Sequence, residues 1–376
     1  MIRAALAADV LAKMKAGDVM VPSPLVVDSN GRLNEPEQKL LTRYYLECGA
    51  GTVIPGTHTG QFARGDIGLY RRWLELNGAV IDTFGDPRRT FKMAAVGGAN
   101  AFAMLEAAAA AGCQVVMVAP TAFVDRGGRL LAEPDALKML DEMSRRVPVF
   151  GFYLQQAVGG RDFSGEFWSG LFDIACGAKA APFSRPKTDL LMRAALASGR
   201  VDELVLVTGN DDYIVGDLLS AWTHPHDPDV TLRFSAGLLG HFASDTHAAV
   251  NLVRVVKKYR EEQGAGGRPP SAGMVELAGA VTAMNYALFD TAELPGSPPF
   301  DSCVYGVHYR LVRLGILPAV TDIRWTGGAG AVRHEKGRPG LEREIDAAYG
   351  ARPELTDESF LDPDTIERWR GEVHRL

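Results

Sequence analysis

A single lysine, Lys179, ends the short apolar run of residues 174–179 and has the clearest chemical potential in this sequence. A lysine at the end of a buried strand holds its ammonium group in a partly dry site. Desolvation disfavours the charged form, so it lowers the pKa of the amine, and a neutral amine can attack a carbonyl carbon. The sequence therefore indicates a site that can form a Schiff base, whose nitrogen accepts the electrons of a breaking carbon–carbon or carbon–oxygen bond.

Other polar residues also stand where apolar runs end. Residues 56–61 (Gly-Thr-His-Thr-Gly-Gln) follow one run, Tyr153 ends another, and Gly209-Asn-Asp-Asp212 follows a third. In a parallel barrel the carboxyl ends of the strands meet at one face. These residues are therefore expected to converge around the Lys179 amine.

The composition excludes several classes of function. The chain has 376 residues, 47% of them hydrophobic, and a net charge of −6. No block rich in lysine or arginine appears, so nucleic acid and anionic membrane surfaces are not expected partners. No apolar run approaches the roughly 18 residues of a membrane span. Residues 1–16 predict an amphipathic helix that contains Asp9, so we expect a helix lying on the protein body and not a secretory signal.

The four cysteines are far apart and show no metal-binding or redox spacing: Cys48, Cys113, Cys176 and Cys303. They indicate reduced core thiols in a cytoplasmic protein. His224-Pro-His-Asp227 has residue types that bind metals, but its prolines predict a loop between a helix and the last strand, away from the expected site. We therefore expect neither a metal nor another cofactor.

Short apolar runs alternate with helical patterns along the first two thirds of the chain. This alternation predicts an α/β protein, a TIM (β/α)8 barrel with a C-terminal helical appendage. A doubly wound sheet is the competing architecture, but the first strand is followed by Asp28-Ser-Asn-Gly31, a turn signal and not a phosphate-binding glycine pattern. The eight predicted strands begin near Asp18, Thr52, Phe91, Gln114, Val147, Asp173, Glu203 and Val230.

The expected organisation has four parts: an N-terminal helix (1–16), the barrel (17–245), C-terminal helices (246–318) and a polar extension (319–376). A Gly/Pro-rich break at 264–270 separates the first two C-terminal helices. The extension is polar and rich in glycine before it ends in a charged helix near residues 364–374, so we expect a surface tail.

Five short motifs lie between about residues 16 and 318: Ser23-Pro24 followed by Asp28-Ser-Asn-Gly-Arg-Leu33, Thr57-His-Thr-Gly-Gln61, Tyr153, Gly177-Ala-Lys179, and Gly209-Asn-Asp211. Together they resemble the motifs of the dihydrodipicolinate synthase / N-acetylneuraminate lyase family of class I aldolases. The resemblance is specific for the superfamily and unspecific for the substrate.

This resemblance implies catalytic roles for three residues. Lys179 would form the imine with the keto group of pyruvate or another small 2-oxo acid. Tyr153 would carry protons during imine formation and bond cleavage, with the Thr59 hydroxyl as its partner in the relay.

The resemblance also implies a substrate-binding set. Backbone N–H groups around Thr57 and Gly60 would bind the substrate carboxylate, since consecutive amides at the start of a helix form an anion site. Gly209 and Asp211 would contact the substrate, although Asp211 is equally suited to cap the helix that follows.

Departures from the family pattern bear on the reaction. His58 replaces a family Ser/Thr and could act as an acid or base near neutral pH. Gln61 replaces a glutamate, and Pro120-Thr-Ala122 lacks the tyrosine usually lent by a neighbouring subunit. Arg161 is out of register with the arginine that binds the second substrate of dihydrodipicolinate synthase. These departures disfavour lysine biosynthesis and favour an aldolase or a dehydratase/hydratase-aldolase.

The leading hypothesis is thus a Schiff-base-forming lyase for a small 2-oxo acid. The alternative is a non-catalytic 2-oxo acid-binding or regulatory protein on the same barrel, which the missing tyrosine and Gln61 make worth testing. The family resemblance also implies a homo-oligomer, either a dimer or a tetramer.

Overall fold

The computed structural model describes residues 2–263, 270–289, 303–320 and 339–376. Parallel strands β1–β7 and β10 form a barrel, and β8 and β9 form a separate antiparallel hairpin. The strands are β1 (Met20–Pro22), β2 (Thr52–Ile54), β3 (Met93–Val96), β4 (Val115–Val118), β5 (Val149–Leu154), β6 (Gly177–Ala181), β7 (Val205–Thr208), β8 (Trp222–His224), β9 (Asp227–Leu232) and β10 (Ala236–Gly237).

Helices follow the barrel strands and continue beyond the last one. Those of the barrel region are α1 (Ala8–Ala16), α2 (Glu35–Glu47), α3 (Ile67–Phe84), α4 (Ala101–Ala110), α5 (Glu133–Ser144), α6 (Gly165–Ile174), α7 (Arg185–Ala197) and α8 (Ile214–Leu219). The later helices are α9 (Thr246–Gln263), α10 (Ala272–Phe289), α11 (Cys303–Arg313), α12 (Leu341–Gly350) and α13 (Pro363–His374).

The strands close on themselves. Six of them run in the order β10-β7-β6-β5-β4-β3, and β1 pairs with β2. Met20 bridges Leu238 in parallel fashion, which joins β1 to the end of β10, and the Ala95 N–H donates to the Pro55 carbonyl at 2.9 Å, which joins β2 to β3. The predicted (β/α)8 barrel is therefore confirmed.

Each central strand is buried on both faces, as expected when helices cover the outside and side chains fill the inside. One apolar cluster fills the interior with residues such as Met117, Phe150 and Val207. A second cluster lies between the sheet and the surrounding helices and includes Trp168 and Phe172. Since side chains alternate along a strand, residue parity decides which cluster each one joins.

The N-terminal helix α1 packs against the barrel, as the sequence indicates. Its Val10 and Met14 are fully buried in the interior cluster. Gly17 ends the helix with φ 73°, and the Lys257 ammonium donates to its carbonyl at 2.6 Å. The bonds of Gly17 and Lys257 thus join the end of α1 to α9.

The eighth strand differs from the prediction. Val230 lies in β9, one arm of the β8–β9 hairpin, and the barrel strand β10 comes later, at Ala236–Gly237. Residues 227–231 are mostly exposed, whereas Phe234, Ala236 and Leu238 are fully buried. The more polar segment therefore forms a surface hairpin, and the apolar segment enters the barrel. His224 and His226 belong to this hairpin and its turn.

The C-terminal helices form one apolar cluster with α2 and α8. Helix α10 is long and apolar enough to cross a membrane by length and composition alone. Its Met284, Leu288 and Phe289 are buried in this cluster, and Asn285 is buried among them, so one face of α10 packs against the neighbouring helices.

Residues 339–376 are not the predicted surface tail. Asp357 accepts hydrogen bonds from the His247 and Ala248 N–H groups at the start of α9, at 2.9 and 2.7 Å. Its own N–H donates to Asp245, whose carboxylate also holds Arg310 through two bonds of 2.9 and 3.0 Å. The segment is therefore part of the core. The predicted break at 264–270 falls mostly outside the described residues, as do residues 321–338 of the extension.

Candidate active site

A cleft opens at the carboxyl ends of the barrel strands. It encloses about 510 Å³ of empty space, its open mouth included. Strand ends, the loops after them and two C-terminal helices supply its walls: Pro22, Thr57, His58, Thr59, Phe152, Leu154, Gln155, Val158, Lys179, Ala181, Phe183, Gly209, Asp211, Gly240, Phe289 and Cys303. Six of the eight predicted site residues line this one cleft, and Tyr153 and Gly60 do not.

Lys179 points into the barrel from β6. It lies between Phe152 of β5 and Val207 of β7 in the sheet register, and both of these belong to the interior cluster. The side chain is 7% exposed, and its ammonium nitrogen lies 4.5 Å from the centroid of the Phe152 ring. Burial lowers the pKa of Lys179 to about 8, and the neighbouring Asp211 carboxylate opposes part of that shift. A substantial fraction of the amine is therefore neutral near physiological pH.

Gly209 makes room for the Lys179 side chain. A Cβ atom at this position would lie 2.1 Å from Lys179 Cε and 3.1 Å from its Cγ. No side chain larger than hydrogen fits at this distance unless the lysine moves. The absence of a side chain at Gly209 thus allows Lys179 to occupy its position in the cleft.

Asp211 is the acidic side chain among the described residues of the cleft, and it is 6% exposed. Its carboxylate accepts a bond of 3.5 Å from the His241 N–H, and its backbone carbonyl accepts one from the buried Asn285 side chain. Burial raises the pKa of Asp211 to about 7, and the Lys179 charge opposes this shift. Asp211 and Lys179 therefore titrate in neighbouring pH ranges within one enclosed site.

Tyr153 lies on the other face of β5, and its predicted position beside Lys179 is wrong. It pairs with Ala180, not with Lys179, and its ring packs in the outer cluster 4.9 Å from Trp168. Its hydroxyl donates to Asp162 at 2.9 Å, and burial together with this carboxylate raises the pKa of Tyr153. The side chain that faces Lys179 from β5 is Phe152, which has no proton to give.

The Asp162 carboxylate that receives the Tyr153 hydroxyl also binds the other nearby lysine. Lys187 Nζ lies 2.8 Å from Asp162 Oδ2, and its side chain is 40% exposed. Lys187 is thus a partly solvated ion-pair residue outside the cleft.

His58 lines the cleft, but it does not titrate near neutral pH as predicted. Burial, with a contribution from the Lys179 charge, lowers its pKa to about 3. The Cys303 Sγ lies 3.7 Å from His58 Nδ1, and burial raises the pKa of this thiol. The pair is therefore a neutral imidazole beside a neutral thiol, suited to hydrogen bonding and not to acid–base exchange.

The loop after β2 places two hydroxyls in the cleft. Thr59 Oγ1 donates to the Pro22 carbonyl at 2.6 Å and lies 2.9 Å from Thr57 Oγ1. Within the described part of the chain, the Thr59 and Gly60 N–H groups make no backbone hydrogen bond, but of these two residues only Thr59 lines the cleft, where its N–H group can receive an anion. Gly60 itself packs against Trp73, since a Cβ there would lie 2.8 Å from that ring.

Backbone strain is concentrated at this end of the barrel. Gln61, Phe62 and Arg64 in the loop after β2 have φ between 43° and 55°, and Phe183 after β6 has φ 50°. Non-glycine residues in this region cost about 1–3 kcal/mol each and persist where the surroundings hold them. Such strain is typical of functional sites.

Several residues that line the cleft were not predicted from the sequence. The period-two alternation of β5 was the one available signal for Phe152, because a residue facing Lys179 must share its face. Phe289 and Cys303 come from helices far along the chain, and no local pattern marks them.

No arginine and no cluster of metal ligands lies at the cleft among the residues that the structure describes. Arg161 donates to the Leu131 carbonyl and lies over the Phe163 ring instead. Lys179 is thus the one cationic side chain among the described residues of the cleft.

The structure is a parallel eight-stranded barrel with a buried lysine at the centre of β6, and the amine of this lysine reaches the cleft at the carboxyl ends of the strands. These features define a class of barrels with an enclosed amine site. No family model and no curated protein matches the sequence. Solved structures of the dihydrodipicolinate synthase / N-acetylneuraminate lyase family have the same architecture as this chain. The chain therefore has the fold of that family.

Three of these structures show how far the likeness extends. YagE, a prophage protein of the dihydrodipicolinic acid synthase family from E. coli K12 solved with pyruvate, has a TM-score of 0.64 and 14% identity, with 89% of this chain and 98% of that chain covered. Dihydrodipicolinate synthase from Acinetobacter baumannii, also with pyruvate, has a TM-score of 0.63 and 13% identity, covering 90% and 99%. N-acetylneuraminate lyase from Mycoplasma synoviae has a TM-score of 0.62 and 10% identity, covering 89% and 98%.

Proposed function

We propose that this chain is a class I lyase, an aldolase or a dehydratase/hydratase-aldolase, that forms a Schiff base between Lys179 and a small 2-oxo acid such as pyruvate. One observation carries the proposal: the Lys179 amine is buried in a cleft at the carboxyl ends of the strands, with its pKa lowered towards neutrality. In that state the nitrogen lone pair is available to a keto carbon.

The rest of the cleft suits an acid of this size. The Thr59 N–H group, which makes no backbone hydrogen bond among the described residues, provides a donor for a carboxylate, and Phe152 and Phe289 provide apolar walls. Two structures with this fold contain pyruvate. That correspondence supports a 2-oxo acid as the ligand.

A second function is favoured by Phe152. The ring facing Lys179 from β5 carries no hydroxyl, so the proton carrier expected from the family pattern is missing at that position. A barrel that binds 2-oxo acids through Lys179 without turning them over, in a regulatory role, is consistent with this replacement.

Borohydride reduction in the presence of pyruvate tests the Schiff base. We expect a covalent adduct on the peptide that contains Lys179, identified by mass, and its loss in Lys179→Met. Lys187→Met is the matched control, since this lysine lies outside the cleft and its removal should leave the adduct intact. Absence of an adduct with every 2-oxo acid in a panel would contradict the proposal.

Turnover separates the two functions. A lyase should cleave or dehydrate members of a panel of 4-hydroxy-2-oxo acids or sugar-derived 2-keto-3-deoxy acids. A binding protein should form the adduct and gain thermal stability with pyruvate, yet release no product from any of them. A homodimer or homotetramer, and a cytoplasmic location, remain predictions.

A further inference from the structure

The cleft has an amine that can form an imine but no phenol beside it, which leaves the proton transfers of that reaction without their expected carrier. Attack on the keto carbon moves a proton from nitrogen to oxygen, and loss of water requires a proton on the departing hydroxyl. A side chain of the cleft must supply and recover these protons if the reaction is to be fast.

Four described side chains of the cleft can ionise: His58, Lys179, Asp211 and Cys303. Burial holds His58 as a neutral imidazole and Cys303 as a thiol, so neither changes its charge near neutral pH. Asp211 differs, because burial raises its pKa into the physiological range. It is thus the one described group of the cleft, apart from the lysine itself, that can gain and lose a proton there.

Asp211 is also fixed in place by its surroundings. The His241 N–H binds its carboxylate, and the His241 imidazole lies 3.2 Å from the Tyr349 hydroxyl of α12. The Asn285 amide of α10 binds its backbone carbonyl. These contacts from outside the barrel hold the carboxyl group at the wall that it shares with Lys179.

We propose that Asp211 is the catalytic acid–base of this site and carries the protons of imine formation in the place of a phenol. This inference rests on the proposed Schiff-base function. It extends the role expected for Asp211 from substrate contact to proton transfer.

The step balances with the groups present. Lys179 and Asp211 interact through their charges and share no direct hydrogen bond among the described residues, so a water molecule in the cleft carries a proton from the lysine ammonium to the Asp211 carboxylate. The neutral amine then attacks the keto carbon. As the carbon–nitrogen bond forms, the carbonyl pair moves to oxygen, which receives the proton that the nitrogen sheds. The Asp211 carboxylic acid then protonates the hydroxyl, water leaves as the carbon–oxygen bond breaks, and the nitrogen pair completes the iminium.

A purely electrostatic role for Asp211 predicts the opposite effect of removing its carboxylate. The Asp211 carboxylate raises the pKa of Lys179, so its removal increases the neutral fraction of the amine. If Asp211 acted only through its charge, Asp211→Asn would form the imine faster near pH 7. If Asp211 carries protons, the same variant would form it more slowly.

The rate of adduct formation with pyruvate, quenched by borohydride at fixed times and measured by intact mass, distinguishes these outcomes. We expect Asp211→Asn to slow the reaction about 100-fold, within the usual range for loss of a general acid–base. Asp211→Glu should recover part of the rate. Asp162→Asn is the matched control, since Asp162 lies outside the cleft, where it binds Tyr153 and Lys187, and it should stay within about twofold of the wild-type rate.

Two further measurements guard against a merely structural effect. Formate should restore part of the rate in Asp211→Ala, because a free carboxylic acid can enter the vacated space, and a misfolded variant would not respond. The rate–pH profile of the wild type should lose its inflection near pH 7 in Asp211→Asn. Other ionisable groups that interact with Asp211 are Lys179, Asp212, Cys303 and Tyr349.

The outcomes separate the two proposals. A wild-type protein that forms the adduct, with an Asp211→Asn variant that forms it as fast or faster, would overturn the role of Asp211 and leave the Schiff-base function standing. A wild-type protein that traps no 2-oxo acid would overturn both.

Discussion

Phe152 lies directly opposite Lys179 in the β5–β6 register, with its ring centroid 4.5 Å from the ammonium nitrogen. The phenol of Tyr153, one residue further along, is on the outer face of the same strand and bonded to Asp162. The buried amine is therefore surrounded differently from the pattern that the family resemblance implies, with an apolar ring on one wall and a carboxyl group on another.

Phe152→Tyr should raise the rate of imine formation with pyruvate by about tenfold or more, because it places a hydroxyl beside Lys179 on the inner face of β5. Timed borohydride trapping measures this rate. Phe152→Leu is the control, since it changes the wall without adding a proton donor. A Tyr variant no faster than the Leu variant would show that this position is not within reach of the reacting atoms.

Tyr153→Phe should leave imine formation within about twofold of the wild-type rate, because a proton carrier must lie within hydrogen-bond reach of the reacting group and this hydroxyl faces away from the cleft. Instead it should reduce the free energy of unfolding by about 1–2 kcal/mol through loss of the bond to Asp162. Urea unfolding measures the second effect and trapping the first. A large fall in trapping rate with unchanged stability would restore the role that the sequence predicted.

Gly209→Ala should slow adduct formation at least about 100-fold, because the new methyl group would lie 2.1 Å from Lys179 Cε and displace the amine from its oriented position. The variant should still fold, which circular dichroism verifies. Gly279→Ala is the matched control, since a Cβ there meets nothing within 4 Å in the exposed face of α10. This control should react normally and gain about 0.5–1 kcal/mol of stability as a helix-interior alanine.

The stability of the protein should depend on pH through Asp211. Its folded pKa is raised from 3.8 to about 7, so the folded state binds more protons than the unfolded state between these values. The contribution of Asp211 to stability is fully present below about pH 4 and is lost as the pH rises through about 7. The free energy of unfolding of the wild type, relative to Asp211→Asn, should therefore fall from pH 5 to pH 7 in urea titrations. A rise over this range would contradict the assigned pKa.

Much of the site was predictable because the carboxyl ends of parallel strands meet at one face. Lys179 lies within β6, Gly209 and Asp211 follow β7, and Thr57 and Thr59 follow β2, so the barrel prediction alone brings them together. The terminal part of the chain was not predictable in the same way. Its polar and charged composition indicated a tail, but Leu341, Tyr349 and Trp369 are buried, and a network around Asp245 and Asp357 joins it to the start of α9.

The sequence by itself determined the barrel, through the alternation of doubly buried strands with helices, and it determined that a lysine in the sixth strand would have a buried amine. The strand continues past this residue to Ala181, so Lys179 lies at its centre and not at its end as predicted. Only the tertiary structure decided which neighbours that lysine has. Side chains alternate along a strand, so a shift of one residue in β5 decides whether Lys179 faces the apolar ring of Phe152 or the phenol of Tyr153. Only the phenol could carry protons. Likewise Cys303 and Asn285 reach the site from helices more than a hundred residues after Lys179, and long-range packing of this kind has no local signature.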